Sequence, residues 1–426
     1  MHNNDLSKRD LEVIWHPYTQ MQTAPAPIGI VRGAGALLFD EQDQEYIDAT
    51  SSWWVNIHGH AHPYIAQQIA AQAMQLEHCI FAGYTHPPAV SLAERLLKLI
   101  GGKQGKVFYS DNGSTAVEVA LKMALQYWDN KGQAKRNILA FKNAYHGDTF
   151  GAMSVSGRSV FTRVFDDLLF DVHFLDVPTA DNLPSLIQSI EDIGAESIAA
   201  FIFEPLLQGS GGMIMYDAQT FAQLLKWCTS REILLIADEV MTGFGRTGTN
   251  FAMESIGVPP DMICLSKGLT GGTMALGVTT TTNEIYNAFL SNDKLKTLFH
   301  GHSFTANPIA CTAALASLDL FLDPACEENR KRIHTLHSNF IEELRNFPIV
   351  KKPRILGTIV AFEIVTANAD GYTNSLADQV HTFFRKKRIM LRPLGNTLYI
   401  LPPYCITNEQ LATIYGGIKE FLTLVS

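Results

Sequence analysis

The sequence is poor in charge and in the features of several specialised protein classes. Only 18% of its 426 residues are charged, with 33 basic against 42 acidic side chains, and the largest basic block is Arg385–Arg388. A formal net charge of −9 without a larger block argues against a nucleic-acid-binding role. Glycine and proline stand at ordinary levels and 46% of the residues are hydrophobic, which excludes disordered and collagen-like classes.

Targeting, membrane-spanning and metal-binding patterns are missing too. The first ten residues hold no apolar stretch of the secretory kind, so we expect a cytoplasmic protein. The longest uncharged run, Thr297–Leu318, is broken in its first half by polar residues and Pro308, and its remainder is too short for a bilayer of about 30 Å. The cysteines form no CxxC pair, and we expect reduced, mostly buried thiols and no metal site. They are Cys79, Cys228, Cys264, Cys311, Cys326 and Cys405.

Short apolar runs alternate with helical periods through the middle of the chain. Val107–Tyr109 predicts a strand, and residues 115–128 predict a helix whose start we assign to a capping box of Thr115 and Glu118. Strands that alternate with helical connections indicate an α/β protein with a parallel sheet wrapped by helices. Four further runs predict buried strands: Ile138–Phe141, Ile198–Phe203, Ile233–Ala237 and Met262–Leu265.

The two ends of the chain have a different pattern from its middle. Two short β-like runs, Ile28–Val31 and Ala36–Phe39, lie near the start, and mixed helical and strand patterns follow residue 330. We therefore expect an N-terminal segment, 1–50, that contributes to a small domain, a large domain at 51–325, and a C-terminal α+β domain at 326–426.

Ligands of open parallel sheets bind beyond the carboxyl ends of the strands, so the residues after each run are candidates for a site. Asn112–Thr115 is a loop of small residues that opens a helix, where backbone N–H groups favour an anion such as phosphate, although such loops also cap helices that bind nothing. No GxxxxGK[ST] occurs, and Gly33–Gly35 is not followed by a helical pattern, so the P-loop and the dinucleotide fingerprint are both excluded.

Asp238 and Lys267 form the most informative pair. Asp238 follows a run typical of a fully buried strand, where a carboxylate is costly without a partner. Lys267 ends the next run, about one helical crossover later, so we expect the two side chains on neighbouring strand ends. A lysine is usually a surface charge, but the neighbours of Lys267 predict a partly desolvated amine with a lowered pKa that serves as nucleophile or base.

These residues together match the requirements of pyridoxal 5′-phosphate. The cofactor needs an anion cradle for its phosphate, an aromatic cover for its ring, an acid at its pyridine nitrogen and a lysine that holds it covalently. Tyr145 supplies an aromatic after the run that ends at Phe141, and Glu204 is a further acid after a strand. The sequence therefore predicts a site for this cofactor in which Asp238 controls the electronic state of the ring.

The segment 238–248, DEVMTGFGRTG, with Ser266–Gly268 downstream, resembles the motif of the class III, fold-type I aminotransferases. The resemblance implies a large domain with a mostly parallel, seven-stranded-type sheet and a smaller α+β domain. Within this family, the sequence most resembles the branch of the biotin pathway, whose members move the α-amino group of S-adenosylmethionine to 8-amino-7-oxononanoate. The segments that carry the resemblance to this branch are 15–19, 51–54, 145–154, 269–274 and 392–395, so the resemblance covers nearly the whole chain.

The resemblance also implies roles for single residues. Lys267 would carry the cofactor and shuttle the substrate proton, Asp238 would bind the ring nitrogen, and Tyr145 would stack on the ring and line the substrate pocket. Ser303 would reach the phosphate of the neighbouring subunit, which makes a homodimer necessary for a complete site. The other implied cofactor contacts are Gly113, Ser114, Glu204 and His302, and the other implied substrate contacts are Tyr18, Trp53, Trp54, Gly301 and Arg392, with Arg392 clamping the far carboxylate of the ketone substrate.

Two positions depart from the family pattern, and several alternatives stay open. Family members often have Pro-Thr in place of His302-Ser303, and many have glutamine in place of Met241, near the cofactor O3′, which leaves Glu204 or water to serve that oxygen. The amino donor is lysine in some relatives. Other candidates are an enzyme for ω-amino acids or ornithine-like donors, which needs less aromatic surface, and a catalytically silent relative that binds a ligand or acts as a scaffold.

Three features also have purely structural interpretations. His58, His60 and His62 alternate as in a strand, and with no acid expected nearby we favour a structural or pocket-shaping role over metal binding. Neighbours in a strand face opposite ways, so one of Trp53 and Trp54 is expected to be packing. Arg392 is either a surface residue or the partner of a carboxylate.

Overall fold

The computed structural model describes residues 5–365 and 375–425. Its strands are β1 (Ile30–Ala34), β2 (Leu37–Asp40), β3 (Glu45–Asp48), β4 (Gln104–Ser110), β5 (Asn137–Phe141), β6 (His173–Leu175), β7 (Ile198–Phe203), β8 (Leu207–Gln208), β9 (Ile214–Met215), β10 (Leu234–Asp238), β11 (Met262–Leu265), β12 (Gly277–Thr282), β13 (Val350–Leu356), β14 (Ile359–Ile364), β15 (Ile389–Met390) and β16 (Thr397–Ile400). Its α-helices are α1 (Leu6–Val13), α2 (Ser51–Trp54), α3 (Pro63–Gln75), α4 (Pro87–Ile100), α5 (Gly113–Asn130), α6 (Phe150–Val155), α7 (Leu183–Ile193), α8 (Ala218–Ser230), α9 (Ala252–Ile256), α10 (Asn283–Asn287), α11 (Pro308–Phe321), α12 (Pro324–Leu344), α13 (Ser375–Lys386) and α14 (Asn408–Val425).

The central sheet has seven strands in the order β4-β12-β11-β10-β7-β5-β6. Strands β11, β10, β7, β5 and β6 run parallel, and β12 pairs antiparallel with both β11 and β4. Every residue of β7 and β10 is buried, because helices cover both faces of the sheet. The prediction of an α/β protein with a mostly parallel sheet is confirmed, with β12 as the antiparallel exception.

The two ends of the chain meet in a smaller sheet of order β1-β2-β3-β15. Ile389 and Met390 of β15 pair in parallel with Ile47 and Asp48 of β3, which joins segments more than 300 residues apart. Strand β16 does not pair with β15 but lies beside β14 in a third sheet of order β13-β14-β16. The proposed division at residues 50 and 325 stays a prediction.

Helix α5 begins earlier than predicted, and its cap differs. Asn112 is the N-cap, and its side chain accepts a hydrogen bond from the Thr115 N–H at 3.0 Å while the Thr115 hydroxyl accepts one from the Asn112 N–H. The predicted capping box of Thr115 and Glu118 is therefore wrong. Glu118 instead accepts hydrogen bonds from the Thr149 hydroxyl and the Gly151 N–H, so it ties α5 to α6.

The helices found in the described residues do not include one that is long and apolar enough to cross a membrane alone. Helices α11 and α12, bent by 69° at their junction, meet that length and composition test only as a pair.

Loss of the α5 cap should destabilise the fold by a predictable amount. We expect Asn112→Ala to lower the free energy of unfolding by about 1 kcal/mol, because the Thr115 N–H loses its acceptor. Denaturant unfolding of the ligand-free chain measures the change. Gln67→Ala on the exposed side of α3 is the control, expected within about 0.5 kcal/mol of wild type. Equal effects of the two substitutions would contradict the cap.

Candidate active site

A cavity of about 410 Å³ lies at the carboxyl ends of β5, β7, β10 and β11. This is the edge at which an open parallel sheet binds its ligands. Residues from at least six separate chain segments line it: Trp54, Val55, Asn112, Gly113, Ser114, Tyr145, His146, Gly147, Glu204, Asp238, Val240, Met241, Ser266, Lys267 and Gly272–Ala275.

Asp238 is the last residue of β10 and is only 5% exposed. Its Oδ2 accepts a hydrogen bond from His146 Nδ1 at 2.6 Å, and its Oδ1 accepts one from the Val240 N–H at 3.0 Å. Such donors offset the cost of placing a carboxylate away from water. The His146 Nε2 atom is buried without a hydrogen-bond partner among the described residues. The pair therefore presents a fixed, oriented acid to the cavity.

Lys267 follows β11, whose Cys264 pairs in register with Asp238 of the neighbouring parallel strand. The prediction that Asp238 and Lys267 lie on adjacent strand ends is thus confirmed. The Lys267 backbone has φ +46°, an uncommon conformation for a residue with a side chain, at the start of the 3-10 helix Lys267–Thr270. Burial lowers the pKa of Lys267, although the charges of Asp238 and Glu204 oppose the shift. A larger share of neutral amine is the form needed for a nucleophile or base.

Two more acids lie beside this pair. Glu204, after β7, accepts hydrogen bonds from the Tyr145 and Gly209 N–H groups at 3.0 and 2.9 Å, which ties two walls of the cavity together. Burial raises the pKa of Glu204 to about 7. Glu239 is fully buried behind Asp238, and burial likewise raises its pKa to about 7.

The start of α5 lines one end of the cavity and has the features that favour an anion. Gly113 and Ser114 occupy the first turn of this 18-residue helix, where N–H groups have no partner within the helix and the dipole favours negative charge. A Cβ on Gly113 would lie 2.8 Å from a Val240 methyl, so a larger residue would intrude on the cradle. Gly147, at φ +132°, packs against the Ser114 side chain in the same way.

The two tryptophans lie in the short, kinked helix α2 rather than in a strand, so the strand interpretation is wrong. Trp54 is buried, donates its Nε1–H to the Tyr399 hydroxyl at 2.9 Å, and has its ring 4.9 Å from the Lys267 ammonium. Trp53 is 49% exposed and makes an edge contact with Tyr18. Trp54 thus lines the cavity. Trp53 belongs with Tyr18, Asp148 and Arg392 to an exposed group of side chains beside it, which we call the mouth.

Asp148 is a residue at the mouth that sequence reasoning missed. Its Oδ2 accepts a hydrogen bond from the Tyr18 hydroxyl at 2.5 Å, and the hydroxyls of Tyr18 and Tyr145 are 3.5 Å apart. This carboxylate is exposed, and the sequence offers no local signal for it beyond its place three residues after Tyr145. The contact links the exposed Tyr18 to a residue that lines the cavity.

Six predicted residues do not line the cavity of this chain: Tyr18 and Trp53, described above, and Gly301, His302, Ser303 and Arg392. Arg392 is exposed at the mouth, with its guanidinium carbon 5.7 Å from the Trp53 ring centroid. Gly301 and Ser303 are exposed on a loop before α11, and between them His302 lies 3.5 Å from the Asp111 carboxylate. The roles assigned to these residues stay predictions.

The histidine tract has structural contacts. His60 Nε2 lies 2.9 Å from Asp48 Oδ2, so the expectation that no acid is nearby is wrong. His58 Nε2 contacts the Ser317 hydroxyl, which donates to the Gly268 carbonyl next to Lys267. Within the two described ranges, no group of three or more potential ligands is arranged for a metal ion.

The residues present fit pyridoxal 5′-phosphate. The cavity joins a helix N-terminus at one end to a carboxylate and a lysine at the other, and the Gly113 cradle is too close for a Cβ. Asp238 keeps lone pairs for a protonated ring nitrogen beside His146, whose Nδ1–H holds the carboxylate in place. Lys267 is the amine that would hold the cofactor, and Ser114 and the Gly113 N–H would receive its phosphate.

Comparison with known proteins supports this interpretation. A family model described as Aminotransferase class-III matches residues 18–422. The chain is 48% identical over 418 residues to the adenosylmethionine-8-amino-7-oxononanoate aminotransferase of Synechococcus elongatus, covering 96% of this chain and 98% of that protein. It is 39% identical over 432 residues to the protein of the same name from Helicobacter pylori, covering 98% of each.

Solved structures give the same result. The crystal structure of an aminotransferase of that name from Methanocaldococcus jannaschii matches with a TM-score of 0.94 at 36% identity, covering 99% of each chain. An omega-transaminase from Thermomicrobium roseum matches with a TM-score of 0.93 at 29% identity, covering 99% of this chain and 98% of that one.

The buried acid behind Asp238 should make stability depend on pH. Because the folded state raises the pKa of Glu239 to about 7, its contribution to stability is full below the ordinary carboxyl range and is lost as the pH rises through about 7. Glu239→Gln removes this titration and keeps an acceptor for the Met253 N–H, while the Thr242 hydroxyl, which donates to Glu239 Oε2, would instead accept from the glutamine amide. We expect the variant to gain roughly 1–3 kcal/mol relative to wild type between about pH 5 and about pH 8.

Thermal or denaturant unfolding at the two pH values measures this difference. Glu94→Gln, at an exposed position of α4, is the matched control and should leave the pH dependence of wild type unchanged. Parallel stability curves for wild type and Glu239→Gln would contradict the assignment.

Proposed function

The chain belongs to the class III aminotransferases, with the fold-type I architecture expected from its sequence, and on that premise we propose that it aminates 8-amino-7-oxononanoate in biotin biosynthesis. As a member of this family it is a pyridoxal 5′-phosphate-dependent enzyme. The observation that carries the chemistry is the juxtaposition of Asp238 and Lys267 on adjacent strand ends beside a helix N-terminus. The cofactor supplies an electron-withdrawing ring that stabilises negative charge on the carbon bearing the transferred amine.

The protein's own groups hold the cofactor and move the proton. Asp238 would accept a hydrogen bond from the protonated ring nitrogen, and His146 fixes the orientation of its carboxylate. Lys267 Nζ, with its pKa lowered by burial, would take the proton from the substrate carbon and return it. The Trp54 ring, against the Lys267 ammonium, helps to keep water from the amine.

The mouth of the cavity supports the choice of substrates. Tyr18, Trp53 and Trp54 give aromatic surface for a long apolar chain and for an adenine ring, and an aromatic face also attracts a sulfonium. Arg392 offers a planar donor for a distant carboxylate. We therefore propose S-adenosylmethionine as the amino donor and 8-amino-7-oxononanoate as the acceptor.

A homodimer with shared sites is the proposed working form. Ser303 is exposed and outside its own chain's cavity, so its hydroxyl would serve a second copy. Phe299 and Phe304, which flank it, are 72% and 62% exposed, and large apolar side chains are favoured in buried interfaces.

The anchoring lysine can be tested directly. We expect Lys267→Ala to lose both the cofactor adduct trapped by borohydride and turnover, because Lys267 is the amine that holds the cofactor. Mass spectrometry of the reduced chain measures the adduct. Lys142→Ala, an exposed lysine after β5, is the control and should keep the adduct. A trapped adduct in the Lys267 variant would overturn the assignment.

The amino donor can be identified in a half-reaction. We expect the visible absorption band of the bound cofactor to disappear on mixing the holoenzyme with S-adenosylmethionine and to persist with lysine, because the aromatic surface of Tyr18, Trp53 and Trp54 suits an adenine ring and a sulfonium. Loss of the band with lysine and not with S-adenosylmethionine would show that lysine is the amino donor and that the proposed donor is wrong. Loss with simple ω-amino acids alone would favour an omega-transaminase instead.

A further inference from the structure

A chain of side chains outside the cavity connects α5 to the loop before α11. Lys122 Nζ lies 3.0 Å from His300 Nδ1, His300 Nε2 lies 3.0 Å from His302 Nε2, and His302 Nδ1 lies 3.5 Å from Asp111 Oδ2. Asp111 immediately precedes Asn112, the cap of α5. We call these four side chains the relay.

The chemistry of the end groups fixes the protons in the relay. A lysine ammonium only donates, so His300 Nδ1 must accept, and the single proton of a neutral His300 then lies on Nε2. That N–H donates to His302 Nε2, which places the His302 proton on Nδ1, facing the Asp111 carboxylate. All donors point from the ammonium towards the carboxylate, and this arrangement needs both imidazoles to be neutral.

The relay is part of a longer attachment along α5. One turn further along the helix, Gln126 donates to the carbonyls of Lys296 and Thr297 at 3.2 and 3.0 Å. The segment 296–302 therefore runs along α5 towards its N-terminus. Its end carries Ser303, the residue after His302, whose ring contacts Asp111 beside the N-cap of α5.

We propose that Lys122, His300 and His302 are positioning residues that hold the loop bearing Ser303 where the cofactor phosphate of a second copy would reach it. This inference rests on the proposed function, since it supposes that a cofactor phosphate binds there. Asp111 Oδ1 is buried without a hydrogen-bond partner among the described residues, and the His302 ring lies at the other carboxylate oxygen, Oδ2. The relay therefore attaches the loop at two places, to Lys122 on α5 and to Asp111 just before the cap of that helix.

Acid should break the relay at one of two contacts, between Lys122 and His300 or between His300 and His302. An added proton on either imidazole sets two N–H groups face to face between the rings, or an N–H against the Lys122 ammonium. Burial, Lys122 and His302 lower the pKa of His300, while Glu118 opposes them. The other titratable group that faces the rings is Asp111, and Phe108 of β4 is an apolar neighbour of His300.

Lys122→Met gives a test that a purely structural role does not predict. Without the ammonium, His300 can take up a proton and still donate to His302, so acid restores the directed chain instead of breaking it. The probe is pyridoxamine 5′-phosphate, which binds without a covalent link, titrated by fluorescence into the full-length, cofactor-free protein. We expect the variant to bind it roughly three- to tenfold more weakly than wild type at about pH 8, and the ratio to approach one near about pH 6.

Matched variants isolate the effect. The probe's own titration is common to all proteins and cancels in the ratio. Lys122→Arg keeps a donor that cannot accept and should follow wild type. Lys131→Met, at the other end of α5, removes the same charge without touching the relay and should also follow wild type at each pH. An affinity ratio for Lys122→Met that is independent of pH, or matched by Lys131→Met, would overturn the proposal.

A second measurement separates this inference from the proposed function. Hydrogen exchange of peptides spanning residues 296–305, followed without ligand, should be faster in Lys122→Met than in wild type or Lys131→Met, because one attachment to α5 is lost. Unchanged exchange would overturn the relay. If wild type fails to bind the probe at every pH, both the proposed function and the positioning role are wrong. If wild type binds the probe and Lys122→Met shows the same pH dependence of affinity, only the relay is wrong.

Discussion

The parallel pairing of β10 with β11 is the constraint on which the rest of the site depends. It sets Asp238 in register with Cys264, so the lysine that follows β11 emerges beside the buried acid. Isolated charges are costly in such an interior, and each is stabilised differently. The carboxylate takes two hydrogen bonds, whereas the amine has a lowered pKa and lies against an aromatic ring. The uncommon backbone of Lys267 is tolerated because packed neighbours fix it.

Much of this framework could be predicted from local patterns. Short apolar runs in the sequence predicted β5, β7, β10 and β11, because strands that are buried on both faces have few polar positions. The crossover rule for parallel strands then placed the residues after these runs at one edge. Asp238, Glu204, Tyr145 and Lys267 were found in this way, since each depends on its own strand and not on a distant partner.

The missed features depend on contacts between distant segments. Periodicity could not show that Trp54 lies in a kinked turn, because that turn is held by Tyr399 and by the Leu401 carbonyl, about 350 residues away. The partnership of His60 with Asp48 depends on how the chain folds back after β3. The α5 cap was misassigned for a different reason: two overlapping motifs were available, and Glu118 was already engaged by α6.

The mouth must handle more than one kind of charge if both proposed substrates bind there. An uncompensated acid or base would favour one substrate and repel the other, because desolvated like charges cost several kcal/mol. The mouth holds one of each, Asp148, which accepts a hydrogen bond from the Tyr18 hydroxyl, and the exposed Arg392. Aromatic faces avoid this conflict, since they attract a sulfonium and also pack against an alkyl chain. The Arg392 guanidinium lies near the Trp53 face and both side chains are exposed, so the arginine has room to turn towards a carboxylate or to remain on the ring. The buried Trp54 thus lies at Lys267, where the chemistry is the same for both substrates, whereas the exposed Trp53 lies at the mouth, where each substrate is recognised.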